Sequence, residues 1–195
     1  MTGQSKIAFV SQNPGKTREV KFILEKFGLS PEVTSLEKVE LQAGTSEKIA
    51  EESARELLAR IGKEFIVEDA GLYVTSLSGF PGPYSHYVLD TIGCSGILRL
   101  LDPNQSREVY FESAVAYADN NQRVKTFLGR VDGIISPEVR GKEGFGFDPI
   151  FIPSGGLKTF GEVSLAEKSE ISHRRCSLEA FAKWYRTMKL AAPQS

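Results

Sequence analysis

Two acidic residues, Glu68 and Asp69, stand where an apolar run stops in "FIVEDAGLYVTSL". In open α/β folds, side chains at the end of a buried strand point into a cleft. Hard cations such as Mg2+ take oxygen ligands, usually one or two carboxylates plus the phosphates of a substrate. A carboxylate beside such a metal can also orient a water for attack. Glu40, which ends "LEKVE", is a third candidate. The Glu68–Asp69 pair reads equally as the start of a turn, and Glu40 as a solvated charge.

A second group suits phosphate. "FVSQNPGKTREVKFILEKFG" reads as a strand, a glycine turn and an amphipathic helix. It is nearly a Walker A loop, but that motif needs a glycine five residues before Gly15, and Val10 stands there. The short loop still carries phosphate-friendly parts. Asn13 and Pro14 suit a helix start, Gly15 lets backbone approach a ligand, and the helix amides carry partial positive charge. Lys16 adds a full charge.

Two further segments offer contacts to a base. In "GFGFDP" two aromatics alternate with glycines before Asp148 and Pro149. A base needs an aromatic face and a polar group at its edge, which Phe147 and Asp148 supply. A bulged strand with core phenylalanines has the same pattern. "EKSEISHRR" places Lys168 in a loop and His173 and Arg174 at a helix start. Cations belong at helix C-termini on dipole grounds, so this placement asks for an anionic or carbonyl-rich ligand, or else is a surface charge cluster.

These residues need elements to hold them. Residues 7–11 read as a buried strand and 15–27 as a helix with Val20, Ile23, Leu24 and Phe27 on one face. Residues 32–41 look extended, and Thr45 or Ser46 caps a helix running to about Ile61. Residues 65–77 read as two strands with a break at 69–71. Residues 79–84 form a turn cluster, and 88–101 a helix interrupted near Gly93 and Gly96. Residues 107–135 are the clearest hairpin, with Val109, Phe111, Ser113, Val115 and Tyr117 on one face and a turn at 119–122. Another short strand follows "GFGFDP". Ser172 caps a final helix expected to bury Cys176, Ala180, Phe181, Trp184 and Met188. Together these predict one mixed-sheet α/β domain over residues 1–190, with a loose tail at 191–195.

Composition narrows the function. The 195 residues carry 41% hydrophobic and 25% charged residues and a net charge of −1. That length supports one continuous core. Without a basic excess, neither a nucleic-acid polymer nor an anionic membrane is the expected partner. Cys94 and Cys176 have no CxxC spacing, and with His86 and His173 they build no zinc site. No apolar run approaches membrane-span length, and no signal peptide is expected from "MTGQSKIAFV".

Taken in order, these motifs resemble the inosine triphosphatase family, the Ham1-like non-canonical purine NTP pyrophosphatases. "SQNPGK" is similar to its Thr/Ser-x-Asn-x-x-Lys motif and "VEDAGL" to its acidic-acidic-Ser-Gly-Leu segment. "GFPGPYS", "GFGFDPIF" and "EKSEISHR" follow in the family's order, so the likeness spans residues 11–174. It implies an elongated mixed sheet flanked by helices, with two lobes around a central cleft, and a cytoplasmic homodimer. It implies Mg2+-dependent hydrolysis of ITP, dITP and XTP to the monophosphate and pyrophosphate. By resemblance, Ser11, Asn13 and Lys16 hold the triphosphate. Asp69 is base and metal ligand, with Glu40 and Glu68 as further metal ligands. Phe145, Gly146, Phe147 and Asp148 frame the base, with Phe147 stacking, and Lys168, His173 and Arg174 complete the site. Ala70 departs from the family's serine, and Ser53 sits where some members offer a ligand contact. A nucleotide-binding regulator without turnover is the alternative, and the positioned carboxylates argue against it.

Overall fold

The protein is described by a computed structural model covering residues 5–36, 42–101 and 106–191. Glu40 lies outside the described residues. Strand β1 (Ser5–Val10) buries its last four residues. It pairs in parallel with β2 (Leu29–Thr34) on one side and with the start of β3 (Phe65–Val74) on the other. The remaining strands, β4 (Pro81–Gly82), β5 (Glu108–Ala118), β6 (Val124–Ile135) and β7 (Phe151–Pro153), join antiparallel. The result is a seven-stranded mixed sheet ordered β2-β1-β3-β5-β6-β7, with β4 beside β3. The expected α/β class is therefore the one observed.

The sheet contains a gap. β1 stops at Val10 and pairs with β3 only as far as Val67, while the pairing of β4 with β3 begins at Leu72. Residues 68–71 have a strand partner on the β5 side alone. The break expected at residues 69–71 does not occur. β3 runs unbroken because β5 pairs with all ten of its residues. Gly71 serves close approach instead: a Cβ there would sit 2.3 Å from the Gly82 carbonyl oxygen.

Helices cover both faces. α1 (Pro14–Lys26) and α6 (His173–Ala191) pack on one face over Ile7, Phe9, Ile66, Val115 and Tyr117. α2 (Ser46–Leu58) covers the other over Val10, Val67 and Ala114. α2 is capped by Thr45, whose hydroxyl accepts from the Lys48 amide at 3.1 Å, and it ends short of Ile61. α3 (Ser85–Thr91) and α4 (Gly93–Leu100) split the helical segment at Gly93, whose φ of +62° no β-carbon residue adopts readily. α5 (Leu165–Ile171) carries Lys168, which sequence placed in a loop. The capping box of Ser164 and Glu167 explains the helix. On α6 the buried side is Ser177, Leu178, Phe181, Ala182 and Tyr185, whereas Cys176 and Ala180 face solvent. The expected stripe is rotated because Ser177 and Leu178 turn toward the sheet.

Candidate active site

The phosphate-friendly loop leads β1 into α1. The Ser11 hydroxyl accepts from the Asn13 amide at 3.2 Å, and Asn13 Oδ1 caps the helix by accepting from the Lys16 amide at 3.0 Å. Such a cap is worth about 1 kcal/mol. It also aims Lys16 across the sheet gap. Lys16 Nζ lies 2.9 Å from Glu68 Oε2 and 4.0 Å from Asp69 Oδ1, and donates to the Glu68 carbonyl at 3.3 Å. Gly15 also makes room for an aromatic ring. A Cβ there would meet the Phe145 ring at 2.5 Å, so its bareness seats that ring against the loop.

Behind Lys16 runs a buried chain of charges. Glu68 Oε1 accepts from Arg174 Nε at 3.1 Å and from the Ser113 hydroxyl at 2.7 Å. Arg174 reaches Glu19 at 2.5 Å, Glu19 reaches Lys168 at 2.6 Å, and Lys168 reaches Asp148 at 2.5 Å. Buried charges persist only when paired in this way, and removing one partner typically costs about 3–5 kcal/mol. Burial works against the Glu68 charge, but Arg174, Lys16 and the Ser113 hydroxyl outweigh it and hold its pKa far below the usual carboxylate range. Glu19 is lowered for the same reason by Arg174 and Lys168. For Asp148 burial prevails over Lys168 and its pKa rises. Burial would lower Arg174, but Glu68 and Glu19 raise it further still.

Glu68 and Asp69 are not equivalent. The Glu68 side chain is 0% exposed and enclosed by its three donors, whereas Asp69 is 20% exposed at the cleft. The base-framing segment also divides. Phe147 is 3% exposed and packs in a core cluster with Leu72, Ile150 and Phe151 as well as bordering the cleft. Phe145 is the more accessible ring, with Lys168 Nζ 5.0 Å and the Arg174 guanidinium 5.4 Å from its centre. Asp148 is buried and accepts from the Phe145 amide at 2.8 Å, so it closes the Gly146 turn from within. His173 stacks on Phe111 at 4.6 Å, and its Nδ1 has no hydrogen-bond partner among the described residues. Burial, with Arg174 and Lys168 nearby, drives its pKa well down and keeps the ring neutral.

Ser11, Asn13, Lys16, Glu68, Asp69, Phe145, Gly146, Phe147, Asp148, Lys168, His173 and Arg174 all border one cleft of about 620 Å³. That volume lies in the range of small-molecule sites. Ser53 and His86 border it too. Sequence reading missed Glu19, although its place four residues before Ile23 puts a carboxylate on the apolar face of α1.

Fold and site define an α/β protein whose split sheet opens onto a charged cleft of ligand size. Residues 7–184 match the Ham1 family, to which the chain belongs. It is 48% identical over 181 residues to the dITP/XTP pyrophosphatase of Methanopyrus kandleri, covering 93% of this chain and 96% of that protein. It is 46% identical over 179 residues to the dITP/XTP pyrophosphatase of Thermococcus kodakarensis, covering 92% and 96% respectively. The solved HAM1 protein from Coxiella burnetii superposes with a TM-score of 0.81 at 27% identity, covering 94% of this chain and 99% of that one.

Proposed function

We propose that this chain hydrolyses non-canonical purine nucleoside triphosphates (ITP, dITP and XTP) to the monophosphate and pyrophosphate. The naming of its relatives from M. kandleri and T. kodakarensis as dITP/XTP pyrophosphatases supports the substrate class. One observation carries the chemistry: Lys16 Nζ reaches both Glu68 and Asp69 across the sheet gap. A cation for phosphate and an accessible carboxylate then face one reacting centre.

A divalent cation fits these residues. Lys16, Lys168 and Arg174 are already matched by Glu68, Asp148 and Glu19, and Asp69 adds a further carboxylate. A triphosphate entering this cleft brings charge that the side chains do not neutralise. The donors are oxygens only, which suits Mg2+, and no group of three His, Cys, Asp or Glu stands ready among the described residues. Phosphate oxygens would complete the shell around Asp69. When bound, Mg2+ would neutralise the developing charge on the phosphates. Asp69 accepts the proton of the attacking water, and Ser11, Asn13 and Lys16 hold the outgoing pyrophosphate. Phe145 offers its face to the base. His173 Nδ1 and the Arg174 N–H groups not spent on Glu19 and Glu68 read the base edge. A homodimer acting on free nucleotides in the cytoplasm belongs to this reading and rests on the resemblance.

The test is product identification with ITP and Mg2+. Chromatography should show IMP and pyrophosphate, with ATP turned over far more slowly. IDP and orthophosphate as first products would overturn the reading.

A further inference from the structure

Ser113 interrupts an apolar face. Val109, Phe111, Val115 and Tyr117 share its side of β5 by alternation, and all are buried. A hydroxyl there costs free energy unless it is hydrogen-bonded. Its oxygen lies 2.7 Å from Glu68 Oε1 and 3.0 Å from the Ser177 hydroxyl, and all three residues are buried.

The direction of the bond to Glu68 is determined. An ionised carboxylate only accepts, so the single Ser113 proton goes to Glu68. Ser177 stands 3.0 Å from Ser113 and donates to the Arg174 carbonyl at 3.1 Å, so its one proton is shared between that carbonyl and the Ser113 oxygen. The contacts Ser177–Ser113–Glu68 thus run from the N-terminal part of α6 to the carboxylate that Arg174, in the first turn of that helix, also grips. Glu68 presents its other oxygen to Lys16 at 2.9 Å, and Lys16 stands 4.0 Å from Asp69. Glu68 touches Lys16 from below, so what fixes Glu68 also fixes the phosphate-binding cation.

We propose that Ser113, oriented by Ser177, is a positioning residue that sets Lys16 for the triphosphate by holding Glu68 in place. This rests on the pyrophosphatase reading only in its link to turnover, because the positioning itself is read by binding. A hydroxyl serving the packing of β5 alone would affect stability and leave phosphate affinity unchanged. One serving Lys16 affects the phosphate end of the ligand and spares the base end.

The experiment is calorimetric titration of inorganic tripolyphosphate and, separately, of inosine, with the full chain and Mg2+. Ser113→Ala should weaken tripolyphosphate about tenfold, the usual scale for a hydrogen bond to a charged group, and leave inosine within about twofold. Ser113→Thr, which keeps the hydroxyl, should restore most of the loss. Ser177→Ala should show a smaller loss in the same direction and keeps the test open if Ser113→Ala does not fold. Unchanged tripolyphosphate affinity in both alanine variants overturns the proposal, as does an equal loss for inosine. If the wild type binds tripolyphosphate but releases no pyrophosphate from ITP, the functional reading fails while the positioning role stands or falls on the binding data.

Discussion

Glu68 and Asp69 are neighbours on a strand, so their side chains leave β3 on opposite faces. Glu68 faces Ser113 and α6, while Asp69 lies opposite Ala114 on the α2 side. Only the missing strand partner at this level lets both border one cleft. Their tasks separate accordingly. Glu68 is walled in by Arg174, Ser113 and Lys16 and is held ionised, which suits a fixed counter-charge. Asp69, 20% exposed at the cleft, is the carboxylate proposed above as base and metal ligand. Asp69→Asn keeps the shape, but an amide is no proton acceptor at this pH and is a poorer metal ligand. We expect kcat with ITP to fall by about 10²–10⁴-fold while ITP binding remains measurable by calorimetry. A near-normal kcat would move the base to another residue.

At the scale of elements, α6 is the piece whose placement sets the site, since its first turn carries both His173 and Arg174. Two small residues side by side on the sheet, Ser113 on β5 and Gly129 on β6, receive that turn. A Cβ on Gly129 would stand 2.2 Å from the His173 carbonyl oxygen and 2.3 Å from the Ser177 amide. Both are backbone atoms, so Gly129→Ala must lift the helix start rather than turn a side chain. Overpacking of this kind costs about 1–3 kcal/mol. We expect kcat/KM for ITP to drop at least about tenfold, with a lowered urea midpoint. Gly44→Ala, where nothing lies within 4 Å of the new Cβ, is the control and should leave both unchanged. Much of this architecture was legible in sequence. The α1 stripe, the long hairpin and the start of α6 follow from periodicity and caps. What sequence could not show was pairing. Asp69–Gly71 resembled a strand break because Asp and Gly usually punctuate. The ten-residue ladder with β5 overrode that preference, a long-range contact that no local pattern carries. Phe147 lay in a motif that fits base stacking, yet its ring packs in the core, and Phe145 presents the more accessible face. The buried roles of Glu19 and Asp148 depend on Lys168 and Arg174 arriving from about 150 residues and 20 residues away in the chain.

For the molecule as a whole, buried ionisable groups make stability depend on pH in two steps. His173 is kept neutral by burial and by Arg174 and Lys168, so its folded pKa lies well below its ordinary value. An unfolded histidine takes up a proton near pH 6.5. Below that pH the unfolded chain binds a proton that the fold refuses, so stability falls with acidification, by up to about 1.4 kcal/mol per pH unit for one group. Glu68 and Glu19 have depressed folded pKa values. Their contribution is present above the unfolded carboxylate value of about 4.3 and is lost as pH drops through the folded values. Asp148, raised by burial, has the opposite sign and offsets part of that second loss. The melting temperature should therefore be level near pH 7–8, decline from about pH 6.5, and decline more steeply below about pH 4. His173→Phe can keep the stack on Phe111 and removes the first titration. Its melting temperature should stay level between about pH 6.5 and 5 and still fall steeply below about pH 4. Equal slopes for wild type and His173→Phe between pH 6.5 and 5 would show that another group titrates there and that His173 is not held neutral by the fold.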